Sequence, residues 1–315
     1  MTSVAHAPQA LHLPVMLDEV LTALNVQPGG VYVDGTFGRG GHSAAILERL
    51  GSGGRLIALD RDPSAVAEAR SRFAHDARFT IVHSAFSALR VALEPLGEWG
   101  KVNGLLLDLG VSSPQLDEAE RGFSFMRDGP LDMRMDPSCG ETAAELLAHI
   151  DEAQLADILW RLGEERFSRQ IARAVVAARI EAPITRTGQL ADLIAKVVYK
   201  REPGKHPATR SFQALRLWVN QELAELEAVL PQAHEALAIG GRLAVISFHS
   251  LEDRIVKQFL RGEQAPELPP EIPMMVEQPP AQWRMLGRAA KASATEVTQN
   301  PRSRSAVLRV AERLL

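Results

Sequence analysis

The twelve residues from Val31 to His42 read V-Y-V-D-G-T-F-G-R-G-G-H and form the densest group of chemistry-bearing positions in the chain. An apolar run closes on Asp34, and Gly35, Gly38, Gly40 and Gly41 follow before a stretch with helical spacing. A strand, a glycine-rich turn and a helix N-terminus let backbone N–H groups come close to a ligand. The dinucleotide fingerprint does not fit, because a frame starting at Gly38 puts Ser43 where glycine or alanine is required. Asp34 would repel a pyrophosphate and suits a ligand that carries an amino group and a sulfonium. Asp60 closes the next apolar run nineteen residues after Gly41, where an acid takes the hydroxyls of a ribose. The local alternative is that Asp60 helps cap the helix opening at Asp62-Pro63. An adenosine without pyrophosphate but with a cationic amino-acid end is S-adenosylmethionine. Phe86 follows the third strand, where an aromatic stacks on adenine or simply joins the core. Asp108 ends the fourth strand, next to the first at the switch point where such sheets bind ligands.

Those positions need a sheet to hold them. Val31–Asp34, Arg55–Asp60, Phe79–His83 and Gly104–Leu109 are apolar throughout, as parallel strands buried on both faces are. Helical stretches at Ser43–Leu50 and Pro63–Phe73 separate them, which implies right-handed βαβ units. Between about Thr142 and Tyr199 the apolar residues recur only at helical spacing: Leu147, Ile150, Leu155, Ile158 and Leu162, then Phe167, Ile171, Val175 and Ala178. The α/β rhythm returns with one helix from Phe212 to Leu230, a strand from Arg242 to Phe248 and a last strand at Ser305–Val310. Residues 264–280 hold six prolines and read as an extended loop. The expected fold is therefore a Rossmann-like, doubly wound α/β sheet with an inserted all-helical domain. The boundaries are 1–115 for the first part of the sheet domain, 116–210 for the insertion and 211–315 for the second part.

The 315 residues are 46% hydrophobic and 23% charged, the composition of a folded globular chain. No run approaches the ~20 apolar residues of a membrane span, and the opening residues do not resemble a signal peptide. Cytoplasm is the expected compartment. Cys139 is the only cysteine, so an intramolecular disulfide and a cysteine-rich metal site are excluded, and no metal is expected. The net charge of −4 hides a pattern: thirteen acids against four bases from Asp117 to Glu165, but seven bases against two acids from Arg284 to Arg313. Lys200, Arg201, Lys205, Arg210 and Arg216 face only Glu202 across Lys200–Arg216. Local basic patches on an acidic protein fit a negative partner touched in one place, or a solvated surface.

Long motifs in order add a resemblance. The chain is similar to the bacterial ribosomal RNA small subunit methyltransferase H family, RsmH or MraW, from His12 to the C-terminus. The similarity is carried by D-G-T-F-G-R-G-G-H (Asp34–His42), L-D-R-D-P (Leu59–Pro63) and L-L-L-D-L-G-V-S-S-P-Q-L-D (Leu105–Asp117). It continues in R-G-F-S-F-M-R-D-G-P-L-D-M-R-M (Arg121–Met135), G-E-E-R-F (Gly163–Phe167), K-H-P-A-T-R (Lys205–Arg210), S-F-H-S-L-E-D-R (Ser247–Arg254) and N-P-R-S-R-S (Asn300–Ser305). The resemblance implies a class I S-adenosylmethionine-dependent fold and N4-methylation of one cytidine in the decoding region of 16S rRNA. It implies cofactor contacts at Gly40, Gly41, His42, Asp60, Phe86, Asp108 and Gln115, to which the glycine turn adds Gly38. The partner is then 16S rRNA within the small ribosomal subunit. Pairing with a second copy of the chain is left open.

An exocyclic amine of cytosine is a poor nucleophile, so an enzyme must position it and accept its hydrogen bonds. Amino-methyltransferases place a polar residue, a proline and an aromatic after the fourth strand. Gly110–Gln115 has the proline but no aromatic behind it, so a stacking partner must come from elsewhere. Asp108 and Ser113 are the expected catalytic acceptors, with Ser112 and Pro114 against the base; the two serines could equally cap the next turn. His249 is a candidate for the base or a structural group beside a capping box at Ser250 and Asp253. Lys205, His206 and Arg210 are the expected RNA contacts. Methylation at ring carbon C5 needs a cysteine nucleophile, and Cys139 lies in a loop-like P-S-C-G far from the fourth strand in sequence. A dehydrogenase, a non-enzymatic ribosome-binding factor and a DNA amino-methyltransferase are the competing classes.

Overall fold

A computed structural model of the protein describes residues 14–199, 204, 206–262 and 280–315. The chain enters through α1 (Leu17–Leu24), then alternates β1 (Val31–Asp34), α2 (Gly41–Arg49), β2 (Arg55–Asp60), α3 (Pro63–Arg72), β3 (Phe79–His83), α4 (Leu89–Leu93) and β4 (Val102–Asp108). The short α5 (Ser113–Asp117) follows β4 directly. Next come α6 (Ala143–His149), α7 (Glu152–Gly163), α8 (Ser168–Glu181), α9 (Thr187–Val197) and α10 (Thr209–Val219). The chain returns through α11 (Glu222–Ala236), β5 (Leu237–Ser247) and α12 (Ser250–Arg261). It ends with β6 (Trp283–Met285), β7 (Ala290–Lys291), α13 (Ala294–Gln299) and β8 (Val307–Arg313).

Among the described residues the sheet has the order β3-β2-β1-β4-β5-β8-β6, with β7 also on β8. β1 to β5 pair in parallel, whereas β8 runs antiparallel to β5 and carries β6 and β7 antiparallel to itself. The antiparallel β8 beside β5 separates this sheet from the 3-2-1-4-5-6 order of a dinucleotide-binding domain. The apolar runs of β1, β2 and β4 are buried on both faces, whereas the edge strand β3 is only half-buried, with Thr80 and His83 exposed. Leu105 and Leu107 of β4 pack with Val229, Leu230 and Val256 under α11 and α12, while Leu106 packs with Leu21, Leu24 and Ile46 under α1 and α2. The β1/β4 neighbours are where the strand order reverses; Asp34 pairs with Leu106, and Asp108 ends β4 two residues further on at the switch point.

A separate core built on Leu146, Leu155, Ile158, Ile171, Val175 and Ile194 holds the helical unit together. Phe212, Ala214 and Leu215 of α10 belong to that core, so the helical layer continues past 210, where the sequence boundary was drawn, to the end of α10. The single helix read from Phe212 to Leu230 is two. Asn220 ends α10, Gln221 adopts a left-handed φ of 50°, and α11 starts at Glu222. The Asn220 amide sits at this break and ties it to a distant loop: Nδ2 donates to Met133 O at 2.7 Å as well as to Arg216 O of α10 at 3.0 Å, and Oδ1 accepts from Met135 N at 2.8 Å. The proline-rich stretch at 264–280 lies, but for Pro280, outside the described residues. No helix among the described residues is long and apolar enough to cross a membrane.

Candidate active site

The glycine turn is tied to the strand ends on both sides. Gly35 N donates to Leu106 O of β4 and Phe37 N to Leu59 O of β2, at 2.9 and 3.0 Å. Gly38 and Gly40 have left-handed φ values of 54° and 66°, and α2 starts at Gly41. A Cβ on Gly41 would lie 2.6 Å from Pro14 Cγ, so glycine is needed there for close packing. Thr36, which nothing in the sequence singled out, accepts from Asp108 N through Oγ1 at 2.7 Å.

Three carboxyls converge beneath this turn. Asp34 is buried; Oδ2 accepts from Ser43 Oγ at 2.7 Å and Oδ1 from Thr36 N at 3.1 Å. Both its oxygens brace the turn. Ser43, noted only for excluding a dinucleotide pattern, is its partner. Burial pushes the Asp34 carboxyl up. Asp60 accepts from Gly38 N at 2.7 Å through Oδ2 and from Asp62 N at 2.8 Å through Oδ1. Each oxygen keeps a second lone pair for a hydroxyl donor. Burial raises Asp60 to about 6 against the opposing pull of those N–H groups. Asp108 is likewise raised to about 6 by burial, with Asp34 and Glu252 adding to the rise and His42 opposing it. Its Oδ1 is buried without a hydrogen-bond partner among the described residues, and its Oδ2 lies 3.7 Å from His42 Nδ1. His42 is itself buried and is held through Nε2, 3.0 Å from Val15 O.

Around them, Phe86 opens a short turn after β3 and packs partly buried against the sheet core. Ser112 is the N-cap of α5, with Ser113 and Pro114 as the first two helical residues. Gln115 is committed at both ends of its amide: Oε1 accepts from Ser112 N at 2.9 Å and Nε2 donates to Asp62 Oδ2 at 3.0 Å. It therefore braces the loop after β4 against the loop after β2.

His249 caps α12. Its ring accepts from Glu252 N at 3.5 Å and sets Nε2 3.0 Å from Glu252 Oε1. The capping box is therefore His249/Glu252, one residue earlier than Ser250/Asp253, and it uses Nδ1 of the ring while Nε2 stays buried without a hydrogen-bond partner among the described residues. The Glu252 carboxyl, which burial alone would raise, is held below its usual range by that ring and the Phe248 N–H. Ser250 Oγ donates instead to Glu164 Oε1 of the helical unit at 3.3 Å.

The aromatic missing behind Pro114 has a counterpart. A Cβ on Gly110 would lie 3.6 Å from Phe248 Cδ2, so the half-buried Phe248 at the end of β5 sits against the loop that follows β4. The sequence signal is the aromatic of S-F-H-S, directly before His249. Of the basic patch, Lys205 lies outside the described residues, as do Lys200 and Arg201. His206 accepts from Ala208 N and packs its ring 4.6 Å from that of Phe125. Arg210 donates to Glu164 O at 2.5 Å. Cys139 is exposed and its thiol is pushed up by partial desolvation and the Asp136 charge. Two surface hollows of about 410 and 500 Å³ lie away from these residues, one beside α3 and β3 and one between α1 and β8.

Residues 9–314 match the MraW methylase family. A relative from Thioalkalivibrio sulfidiphilus is 58% identical over 98% of this chain and 98% of its own length. One from Coxiella burnetii (strain RSA 493 / Nine Mile phase I) is 53% identical over 96% of this chain and 99% of its own. Both relatives carry the name ribosomal RNA small subunit methyltransferase H. Among solved structures, an rRNA methylase from Streptococcus thermophilus is 11% identical with a TM-score of 0.39, covering 95% of this chain and 94% of that one. With the family matched almost end to end and relatives above half identity, the chain belongs to the MraW methylase family.

Proposed function

We propose that this chain is an S-adenosylmethionine-dependent methyltransferase of small-subunit ribosomal RNA whose target is N4 of one cytidine in the decoding region. The observation that carries the reading is the unpartnered, buried Oδ1 of Asp108 at the switch point, beside a glycine turn bonded to Asp60. The cofactor fits the residues present. Burial raises the three carboxyls Asp34, Asp60 and Asp108 together, and a cationic ligand offsets that cost where a pyrophosphate would add to it. When bound, S-adenosylmethionine supplies an electrophilic methyl group on a sulfonium. Asp60 takes the ribose hydroxyls, Phe86 the adenine face, and Gly38, Gly40, Gly41 and His42 line the amino-acid end; Gln115 keeps the adjoining loop in place.

The chain's own chemistry is positioning and proton handling. Asp108 Oδ1 accepts a hydrogen bond from the target amine, drawing its lone pair out of conjugation and aligning it. The proton lost as the nitrogen becomes methylated passes to that oxygen. Ser112 and Ser113 add acceptors at the N-terminus of α5, and Phe248 offers the stacking face that Gly110–Gln115 lacks. The raised Cys139 thiol argues against a covalent route to C5.

The test is transfer of labelled methyl from S-adenosylmethionine to small subunits from a strain lacking this enzyme, with nucleoside analysis. N4-methylcytidine at one site is the expected product. A different methylated nucleoside, or no transfer by protein that still binds S-adenosylhomocysteine, overturns the target assignment. Tight binding of NAD instead would restore the dehydrogenase reading.

A further inference from the structure

The two residues after Asp60 hold together parts of the molecule far apart in sequence. Asp62 is buried; its Oδ1 caps α3 by accepting from Ser64 N at 2.9 Å. Its Oδ2 accepts from Gln115 Nε2 at 3.0 Å and from Arg121 Nη1 at 2.7 Å. Arg121 then turns its other amine to Met135 O at 2.9 Å and Arg134 O at 3.2 Å. Met135 N donates to Asn220 Oδ1, and Asn220 O accepts from Arg61 Nη1 at 2.9 Å. Both chain crossings between sheet and helical unit, 121–135 outward and 216–220 back, thus end on Arg61 and Asp62.

This is no surface ion pair. The Arg121 and Asp62 side chains are 14% and 4% exposed. A buried pair adds little net stability unless its geometry is fully satisfied, and its best-attested use is to set one arrangement against others. The same loop reaches the ligand carboxylate, since Asp62 N donates to Asp60 Oδ1. Through Gln115 and Ser112 N it also reaches the loop that meets the target base. A ligand on Asp60, the acceptor loop after β4 and the seating of the helical unit therefore share one set of hydrogen bonds.

We propose that Arg61-Asp62 is the joint that couples cofactor occupancy to RNA binding, with Arg121 as its positioning residue. The proposal rests on the reading of cofactor and RNA given above. Coupling of this kind is reciprocal: each ligand changes the affinity of the other by one common factor.

The experiment measures the Kd of S-adenosylhomocysteine alone and with saturating small subunits from a strain lacking the enzyme. The reverse titration, subunits with and without S-adenosylhomocysteine, completes the cycle. Wild type is expected to show one factor in both directions, about 5- to 150-fold, the usual range for coupled sites. Arg121→Lys keeps the charge but cannot span Asp62 and Met135 together, and the factor is expected to fall to within twofold of unity. Arg61→Ala, which deletes a single half-buried contact and leaves α3 capped, is expected to reduce it in the same direction. In both variants the Kd of S-adenosylhomocysteine alone changes less than threefold. Wild-type protein that binds subunits with no change in either Kd overturns the joint and leaves the function standing. So does coupling of wild-type size in both variants. Wild-type protein that binds no subunits overturns the function itself, and the joint with it.

Discussion

A carboxylate kept where burial penalises its charge costs stability, and Asp108 shows it most clearly. Its folded value of about 6 against an ordinary 3.8 means that the folded state holds the proton more tightly than the unfolded chain. Its contribution to stability is therefore fully present below about pH 4 and is lost as pH rises through about 6. Replacing it with asparagine removes a charge that folding disfavours. Asp108→Asn is expected to be more stable than wild type at pH 8, by on the order of 2–3 kcal/mol from the shift, with the gain vanishing below pH 4. Denaturant unfolding across pH checks this; equal stability at pH 8 would show that the carboxylate is better solvated than its burial indicates. The same variant is expected to lose methyl transfer, and the wild-type single-turnover rate to rise with pH through a value below about 6, because the bound sulfonium favours the carboxylate. Asp62 has the opposite sign. Burial opposes its charge, but Ser64, Arg121 and Gln115 outweigh it and hold the carboxyl below its usual range. Its stabilisation is present at neutral pH and is lost only in acid.

At the scale of one element, the glycine turn before α2 is decided by space and by backbone angle together. A Cβ on Gly40 would enter the Phe37 ring at 2.5 Å, and its φ of +66° disfavours any L side chain. Gly40→Ala is expected to cost about 1–3 kcal/mol and to weaken S-adenosylhomocysteine binding at least tenfold, read by unfolding and by titration calorimetry. Gly53→Ala is the control, since a Cβ there meets nothing within 4 Å and φ is not in the left-handed range. It should match wild type or gain up to about 1 kcal/mol from a less flexible unfolded chain. The strands that flank the turn, β1, β2 and β4, were legible because parallel strands inside a sheet are buried on both faces and read as apolar runs; the half-buried edge strand β3 was legible from Phe79, Ile81 and Val82 alone. Arg55–Asp60 and Phe79–His83 begin and end where the residues predict. The break at Asn220 and Gln221 was not legible, because the amide that sits at it bonds to Met133 and Met135, more than eighty residues away.

For the molecule as a whole, a net charge of −4 requires contact with RNA to be local. Arg210 stands at the junction of the helical unit with α12, bonded to Glu164 O while Ser250 reaches the Glu164 carboxylate. Neutralising Lys205 and Arg210 together is expected to weaken RNA binding and to reduce the slope of log affinity against log salt by about 1.4, roughly 0.7 for each phosphate that no longer meets a cation. Titration at several salt concentrations measures it, and an unaltered slope would move the RNA path elsewhere on the helical unit.

What the sequence determined by itself is the set of strand-end acids, the glycine turn and the helical interruption. Each is written in local patterning: runs that end in Asp, glycines at fixed offsets, and a change of apolar period from sheet to helix. The parallel topology then brings the ends of β1, β2 and β4 together without further information. Only the tertiary structure decided which of those side chains remain available. Asp34 gave no sign in the sequence that Ser43 and Thr36 would bond both its oxygens. His249 gave no sign in the sequence that its Nδ1 caps α12 against Glu252 N. Phe248 and Arg121, given no role from the sequence, gained their places beside the loops after β4 and β2. The reason is physical: a buried polar group must find a partner, and partners set by packing come from residues that sequence distance does not relate.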